Sequence, residues 1–510
     1  MSQVSPPPQP LTLNASYTAL KRSFSADPLR SALLELHQPR FHREPPRAFE
    51  ASEARWRERL SALWSGRKVA VWGAAITGFA AAQLLAELGA EVTLSDSHVK
   101  ARPEGLHPAV KLITGAPNQL GDAELVVPSP GLKPSHPLIK EALARGANLM
   151  SEIELAMWCT RGRLIAITGT DGKSTTTCLI EHLLKASGLM AWGLGNLGVP
   201  ISVRALSTSP EQVLVCEVSA FQLWSTQAFP AELCVITNVA EDHLDYFDGD
   251  FTAYRGAKLR LAELSAAVGG VTLAPSQLEL DQLSVRRFAA LSQGEQPAAG
   301  VALSLRDEAL LDSEGQQLAA VTAQPLIGRH NQLNICAALL TLRELGLPLE
   351  PALEGLKSFK GLSHRMALTR VIGGARWVND SKATNVHASL AGLKSVDDRL
   401  VVILGGKEKQ LNYAPLIEHL SARASRGGLK RLLLIGELAP RLEAELSARG
   451  LAELSERCDE LSVAVQRAAL IAESGDMVLL SPASSSFDQF KSFEERGERF
   501  ESLVWALNEA

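Results

Sequence analysis

Short apolar runs, separated by Gly-rich turns and helical stretches, recur from residue 67 to the end of this 510-residue chain. Lys68-Val69-Ala70-Val71-Trp72 reads as a strand and Gly73-Ala74-Ala75-Ile76-Thr77-Gly78 as the turn after it, with a helix following through Leu88. Val92-Thr93-Leu94-Ser95 is a second strand ending at Asp96, and Leu125-Val126-Val127 is a third that runs into Pro128-Ser129-Pro130-Gly131. A second series predicts strands over 164–168, 213–218 and 233–238, and a third series over 375–378, 400–404, 432–435 and 477–480. Strands that alternate with helices point to mostly parallel sheets, in which ligands bind beyond the carboxyl ends of the strands. The expected fold class is α/β in three domains, over 67–150, 151–361 and 362–510. Residues 1–66 read as a flexible N-terminal extension. Ser5-Pro6-Pro7-Pro8-Gln9-Pro10 opens it, Arg-rich mixed charge follows, and a surface helix is expected around 49–64, with docking to a partner as the alternative use.

Composition narrows the class. Apolar residues make up 46% and charged residues 21%, with a net charge of −5, as in a globular protein without a nucleic-acid partner. No 18-residue apolar run offers a membrane span, and no apolar segment near the start forms a secretory signal. The six cysteines form no CxxC pattern, so a reduced, cytoplasmic protein without disulfides or structural zinc is expected.

The most informative stretch is Ile165-Ala166-Ile167-Thr168-Gly169-Thr170-Asp171-Gly172-Lys173-Ser174-Thr175-Thr176. A strand, a glycine turn and a helix in this order wrap backbone N–H groups around a phosphate and aim a helix N-terminus at it. Lys173 is placed for the terminal phosphates and Ser174 for Mg²⁺. The outer glycine of the longer phosphate-loop pattern is Ile167 here, so the short G-x-x-G-K-S-T form applies. In the first domain a Rossmann-type strand–turn–helix–strand unit ends at an acidic residue, Asp96, but Ala75 replaces the middle glycine of a dinucleotide fingerprint. Holding the uracil and diphosphate of a UDP-sugar suits this turn better than holding NAD, which makes Thr77, Asp96 and Ser97 the candidates. Glu217 ends an apolar strand, where an uncompensated carboxylate is costly and a metal offsets the cost.

Taken together and in order, these segments resemble the Mur ligases, the ATP-dependent amide-forming enzymes of peptidoglycan synthesis, from about Lys68 to the end. The further motifs are Gly195-Asn196-Leu197-Gly198, Glu217 through Leu223, Asp242-His243-Leu244-Asp245, Tyr254 through Arg260, Gly328 through Asn334, His364-Arg365, Asn379 through Asn385 and Ser481 through Phe490. The resemblance implies a Rossmann-like UDP-substrate domain, a central ATP-binding domain of the phosphate-loop type and a C-terminal Rossmann-like glutamate domain. It also implies a monomer that adds D-glutamate to UDP-N-acetylmuramoyl-L-alanine through an acyl phosphate. Gly169, Thr170, Asp171, Gly172, Lys173, Ser174, Thr175, Asn331, Asn334, Arg365 and Asp380 are then the expected ATP contacts. Lys173, Glu217, His243 and Lys258 are expected to be catalytic. Two Mg²⁺ are expected on Ser174, Glu217, His243 and a carbamate that Lys258 forms with CO₂. Asn196 and Ser219 are expected near the UDP-substrate, with Thr77, Asp96 and Ser97. Lys382, Thr384, Lys409, Ser486, Phe487 and Phe493 are expected around glutamate, and Lys407 is hard to tell from Lys409.

The rivals are an L-glutamate-adding Mur ligase and a folylpolyglutamate-synthase-like ligase. The latter shares the central and C-terminal plan but lacks the separate first domain. An Asp-Asn-Pro-Arg segment, expected of a diaminopimelate-adding member, is absent.

Overall fold

The computed structural model describes residues 24, 26–36, 53–115, 118–242, 246–267, 269–280, 285–321, 326, 328–408 and 411–507. The chain divides into two compact units, Met1–Ala320 with Asn334–Gly355, and Val321–Leu333 with Leu356–Ala510.

The first unit holds two sheets. One has five parallel strands in the spatial order Lys111–Thr114, Glu91–Asp96, Lys68–Trp72, Leu125–Val127, Asn148–Leu149. Its central strand buries Val69, Ala70, Val71 and Trp72 on both faces, which is why it reads as a continuous apolar run. The other sheet has nine strands among the described residues. Ala191–Gly195, Val213–Glu217, Arg163–Thr168, Leu233–Ile236, Val271–Pro275, Val285–Leu291 and Val301–Arg306 run parallel, and Ala309–Leu311 and Gln317–Ala320 close the edge antiparallel. The register pairs Ile167 with Glu217, Glu217 with Gly195 and Thr168 with Ile236. The loops after these four strands therefore leave one carboxyl edge at the same level.

The second unit carries a six-stranded sheet ordered Ala367–Ile372, Ala375–Asn379, Asp476–Leu480, Arg399–Gly405, Leu429–Ile435, Ser455–Asp459, parallel except for the first pair. Asn379 and Ile403 both pair with Leu480, so the 379–384, 405–408 and 481–487 loops share an edge.

The extension differs from the expectation of a flexible 1–66. Helices Pro28–Leu36 and Glu53–Trp64 belong to the main core of the first unit, with Leu33, Leu34, Leu60 and Trp64 fully buried. Trp56, Leu60 and Trp64 recur every fourth residue, a buried stripe where a surface helix was expected. Arg30 is buried too: its Nε donates to Glu154 Oε1 at 2.6 Å, its Nη2 to Leu149 O at 2.7 Å and its Nη1 to Asp27 Oδ2 at 2.6 Å. The extension thereby rests on the segment that joins the two sheets of the first unit.

Candidate active site

The phosphate loop starts where Arg163–Thr168 ends and closes on helix Lys173–Ala186. Gly172 caps the helix at φ +76°, and a Cβ there would stand 2.6 Å from Asn334 Oδ1, so a side chain is excluded by both strain and space. The loop is held from the neighbouring strand end: Asp171 N donates to Asn238 Oδ1 at 3.0 Å, and Thr170 N to Asn238 O at 3.1 Å. Lys173 folds back, its Nζ donating to Gly169 O at 2.9 Å and Thr170 O at 2.7 Å. Ser174 and Thr175 are buried in the first helical turn.

Gly169 O is also the acceptor for Lys258 Nζ, at 2.6 Å, so two amines converge on one carbonyl. Lys258 is 2% exposed and forms no ion pair among the described residues. Desolvation, reinforced by the Lys173 charge, pushes its amine well below the ordinary lysine range. Tyr254 lies four residues earlier on helix Phe251–Ala266, with its ring 4.6 Å from Lys258 Nζ and its hydroxyl 3.1 Å from Thr170 Oγ1. Sequence reasoning gave Tyr254 no role; the i, i+4 spacing from Lys258 was the available signal.

Glu217 is 2% exposed. Its Oε1 accepts from Asn196 Nδ2 at 2.8 Å, and its Oε2 has no hydrogen-bond partner among the described residues. Gly195, at φ +90°, brings the 195–198 loop against this strand end, where a Cβ would meet Glu217 O at 2.3 Å. Ser219 spends its hydroxyl on Gln222 Oε1 at 2.9 Å, in a turn. His243 lies outside the described residues.

Asn334 stands beside the loop, its Oδ1 accepting from Thr176 Oγ1 at 3.1 Å. Asn331 is buried one turn earlier on helix Arg329–Glu344. In the first sheet, Asp96 anchors the glycine turn: Oδ2 accepts from Ala74 N at 2.7 Å, and Oδ1 from His98 N at 2.7 Å and Val99 N at 3.1 Å. The Ala74 bond leads in holding this carboxyl below its usual range. Thr77 is half-buried at the start of helix Ile76–Glu87, and Ser97 is exposed. A cleft of about 620 Å³ opens beside the turn, lined by Arg57, Ala74, Ile76, Phe79, Val203 and Leu206 among others. Arg57 comes from the extension and was not anticipated. Tyr246, also unanticipated, sets its hydroxyl 2.6 Å from Leu132 O and 3.0 Å from Pro130 O, in the loop after strand Leu125–Val127 of that sheet.

In the second unit Asp380 is buried, with Oδ2 accepting from Ser481 Oγ at 3.0 Å and Oδ1 from Met366 N at 3.3 Å. Arg365 sits between two strained neighbours, His364 at φ +62° and Met366 at φ +47°. Lys382 lies 5.4 Å above the Phe493 ring, and Thr384 follows it in the same loop, its N donating to Lys382 O at 2.8 Å. Ser486 is buried and its hydroxyl has no partner among the described residues, whereas Phe487 is 68% exposed. Lys407 pairs with Glu437 at 2.9 Å; Lys409 lies outside the described residues. Arg496, assigned nothing from sequence, is fully buried, and desolvation pushes its guanidinium down to about 10, still cationic at neutral pH.

Phosphate loop, central parallel sheet and flanking α/β domains define a three-domain nucleotide-loop protein. Family models match along the chain in the same order: the Mur ligase MurD-like N-terminal domain over 67–151, the Mur ligase middle domain over 167–342, and the Mur ligase glutamate ligase domain over 364–484. The chain belongs to the Mur ligase family. It is 39% identical over 470 residues to the UDP-N-acetylmuramoylalanine–D-glutamate ligase of Anaeromyxobacter dehalogenans, covering 86% of this chain and 97% of that protein. It is 37% identical over 464 residues to the ligase of the same name from Myxococcus xanthus, covering 87% and 99%. Among solved structures, the UDP-N-acetylmuramate-alanine ligase MurC of Thermotoga maritima is similar in fold, with a TM-score of 0.56, 17% identity and coverage of 86% and 99%. The MurF ligase of T. maritima in complex with ADP follows, with a TM-score of 0.53, 16% identity and coverage of 86% and 95%.

Proposed function

We propose that the chain is an ATP-dependent, ADP-forming ligase that adds D-glutamate to UDP-N-acetylmuramoyl-L-alanine in peptidoglycan precursor synthesis. The observation that carries this reading is the near full-length likeness to ligases of that name. The geometry of the phosphate loop supports the chemistry. The L-alanyl carboxylate attacks the terminal phosphorus of ATP and ADP leaves. The amine of D-glutamate then attacks the acyl phosphate, loses a proton and expels phosphate.

Lys173 and the loop N–H groups offset the charge that builds when carboxylate and triphosphate meet. Asn331 and Asn334 offer amides that can both donate and accept to adenine, and Arg365 and Asp380 are the further candidates for nucleotide contacts. The residues present fit Mg²⁺: the buried Glu217 Oε2 has no hydrogen-bond partner among the described residues, and a cation would satisfy it. Ser174, Glu217 and His243 would hold one ion. Lys258 is suited to hold a second, because a buried neutral amine can attack CO₂, release a proton and become an anionic carbamate. When bound, the cations screen the repulsion between the phosphates and the incoming carboxylate. Thr77, Asp96, Ser97, Asn196 and Ser219 serve the UDP-substrate, and Lys382, Thr384, Ser486, Phe487 and Phe493 serve glutamate, with Lys407 or Lys409. The six cysteines form no disulfide, which suits work in a reducing cytoplasm, and no helix among the described residues is long and apolar enough to cross a membrane.

The test is phosphate release from ATP with UDP-N-acetylmuramoyl-L-alanine and, in turn, D-glutamate, L-glutamate, L-lysine and meso-diaminopimelate. Release and product with D-glutamate alone are expected. Turnover with L-glutamate would keep the mechanism and change the substrate; no turnover with any of them would overturn the reading.

A further inference from the structure

Two loops of the second unit carry the residues read as the glutamate pocket, 379–384 with Lys382 and Thr384, and 481–487 with Ser486 and Phe487. One side chain bonds to both. Arg496, one turn into helix Phe493–Trp505, donates from Nε to Ser381 Oγ at 2.9 Å and from Nη2 to Ser381 O at 2.9 Å and Ser484 O at 3.0 Å. Ser381 Oγ passes the link on, donating to Phe493 O at 2.8 Å. The 405–408 loop joins through Lys407 N, which donates to Ser485 O at 2.8 Å, and Gly406 leaves the space beside Arg496, where a Cβ would stand 3.0 Å from Nη1.

We propose that Arg496 is a positioning residue for the incoming amino acid, a planar fork that keeps the Lys382 and Ser486 loops in register. A buried guanidinium with no carboxylate hydrogen-bonded to it among the described residues is a costly choice for stability alone, and two backbone carbonyls plus one hydroxyl are a set that an ammonium cannot span. The proposal rests on the reading of these loops as the glutamate pocket.

The variant is Arg496→Lys, which keeps the charge and loses the fork. The D-glutamate KM should rise about tenfold or more, the worth of losing charged hydrogen bonds at the site, while the KM values for ATP and the UDP-substrate stay within about twofold. Should this variant fail to fold, Ser381→Ala removes the Nε acceptor together with the Ser381 Oγ–Phe493 O bond, leaves both carbonyl contacts of Nη2, and should raise the D-glutamate KM about threefold. Amide hydrogen exchange, which needs no substrate, should speed up in 379–384 and 481–487 and not across the six-stranded sheet. Equal shifts in all three KM values, or unchanged exchange in both loops, would overturn the proposal. Wild-type protein that makes no product with D-glutamate would instead overturn the substrate reading, and the exchange result would still judge the tether.

Discussion

Two buried cations of the first unit have opposite surroundings. Arg30, in the extension, has its charge met by Glu154 and Asp27 and a carbonyl besides. Desolvation works against that charge, but the two carboxylates outweigh it and hold the guanidinium above its ordinary value. Lys258 is as deeply buried, shares one carbonyl with a second ammonium, and is driven toward the neutral amine. Burial by itself therefore does not mark a reactive group. A cation hydrogen-bonded to its carboxylates is part of the scaffold, whereas one on which desolvation and a second ammonium outweigh the pull of Asp242, Asp171 and Glu217 is poised for chemistry that needs a neutral nucleophile.

Lys258→Ala should break the comparison hardest. Turnover should fall by about two orders of magnitude or more, the cost of removing one preorganised electrostatic group, with little change in denaturation midpoint. Added acetate should restore part of the rate by supplying the missing anion; full activity without it would sink the carbamate role. Arg30→Met is the counterpart. It leaves Glu154 buried without its cation and should cost ~3–5 kcal/mol in urea unfolding of the first unit, with kcat unchanged where the protein stays folded. A loss below about 1 kcal/mol would make the pair no better than a surface one. Adding Glu154→Leu should recover part of the stability, since the stranded charge is gone.

Gly195→Ala sharpens the contrast at the anion of the same pocket. The new Cβ would strike Glu217 O, and the strain of about 1–3 kcal/mol should appear as a lower midpoint together with weaker Mg²⁺ dependence of phosphate release. Asp96→Asn should give the smallest effect. The wild-type carboxyl is held below its usual range, so its stabilisation is complete above that range and is lost as pH falls through the lowered value. The stability gap between wild type and variant should therefore hold down to about pH 5 and shrink on acidification below the ordinary Asp value of about 4.

Most strands were legible because their buried positions are contiguous. Lys68–Trp72, Val213–Glu217 and Asp476–Leu480 each bury four or five successive residues. The edge strand Gln317–Ala320 went unread because three of its four residues are exposed. Helix Glu53–Trp64 was noticed and misplaced, since its many charges masked the spacing of Trp56, Leu60 and Trp64. At the site, the phosphate loop and Glu217 stood out as motifs. Arg496 did not, because an arginine in Glu494-Glu495-Arg496-Gly497-Glu498-Arg499 looks like one more surface charge.

The sequence by itself determined the α/β class, the phosphate loop and the identity of the side chains around it, because a glycine turn between strand and helix acts through contiguous backbone. Only the tertiary structure decided which charges are compensated. Lys258 meets Gly169 across 89 positions, Arg496 meets Ser381 across 115 and Arg30 meets Glu154 across 124. Desolvation and pairing depend on what the fold brings alongside a group, and residues so far apart in the chain become neighbours only when the sheets have formed.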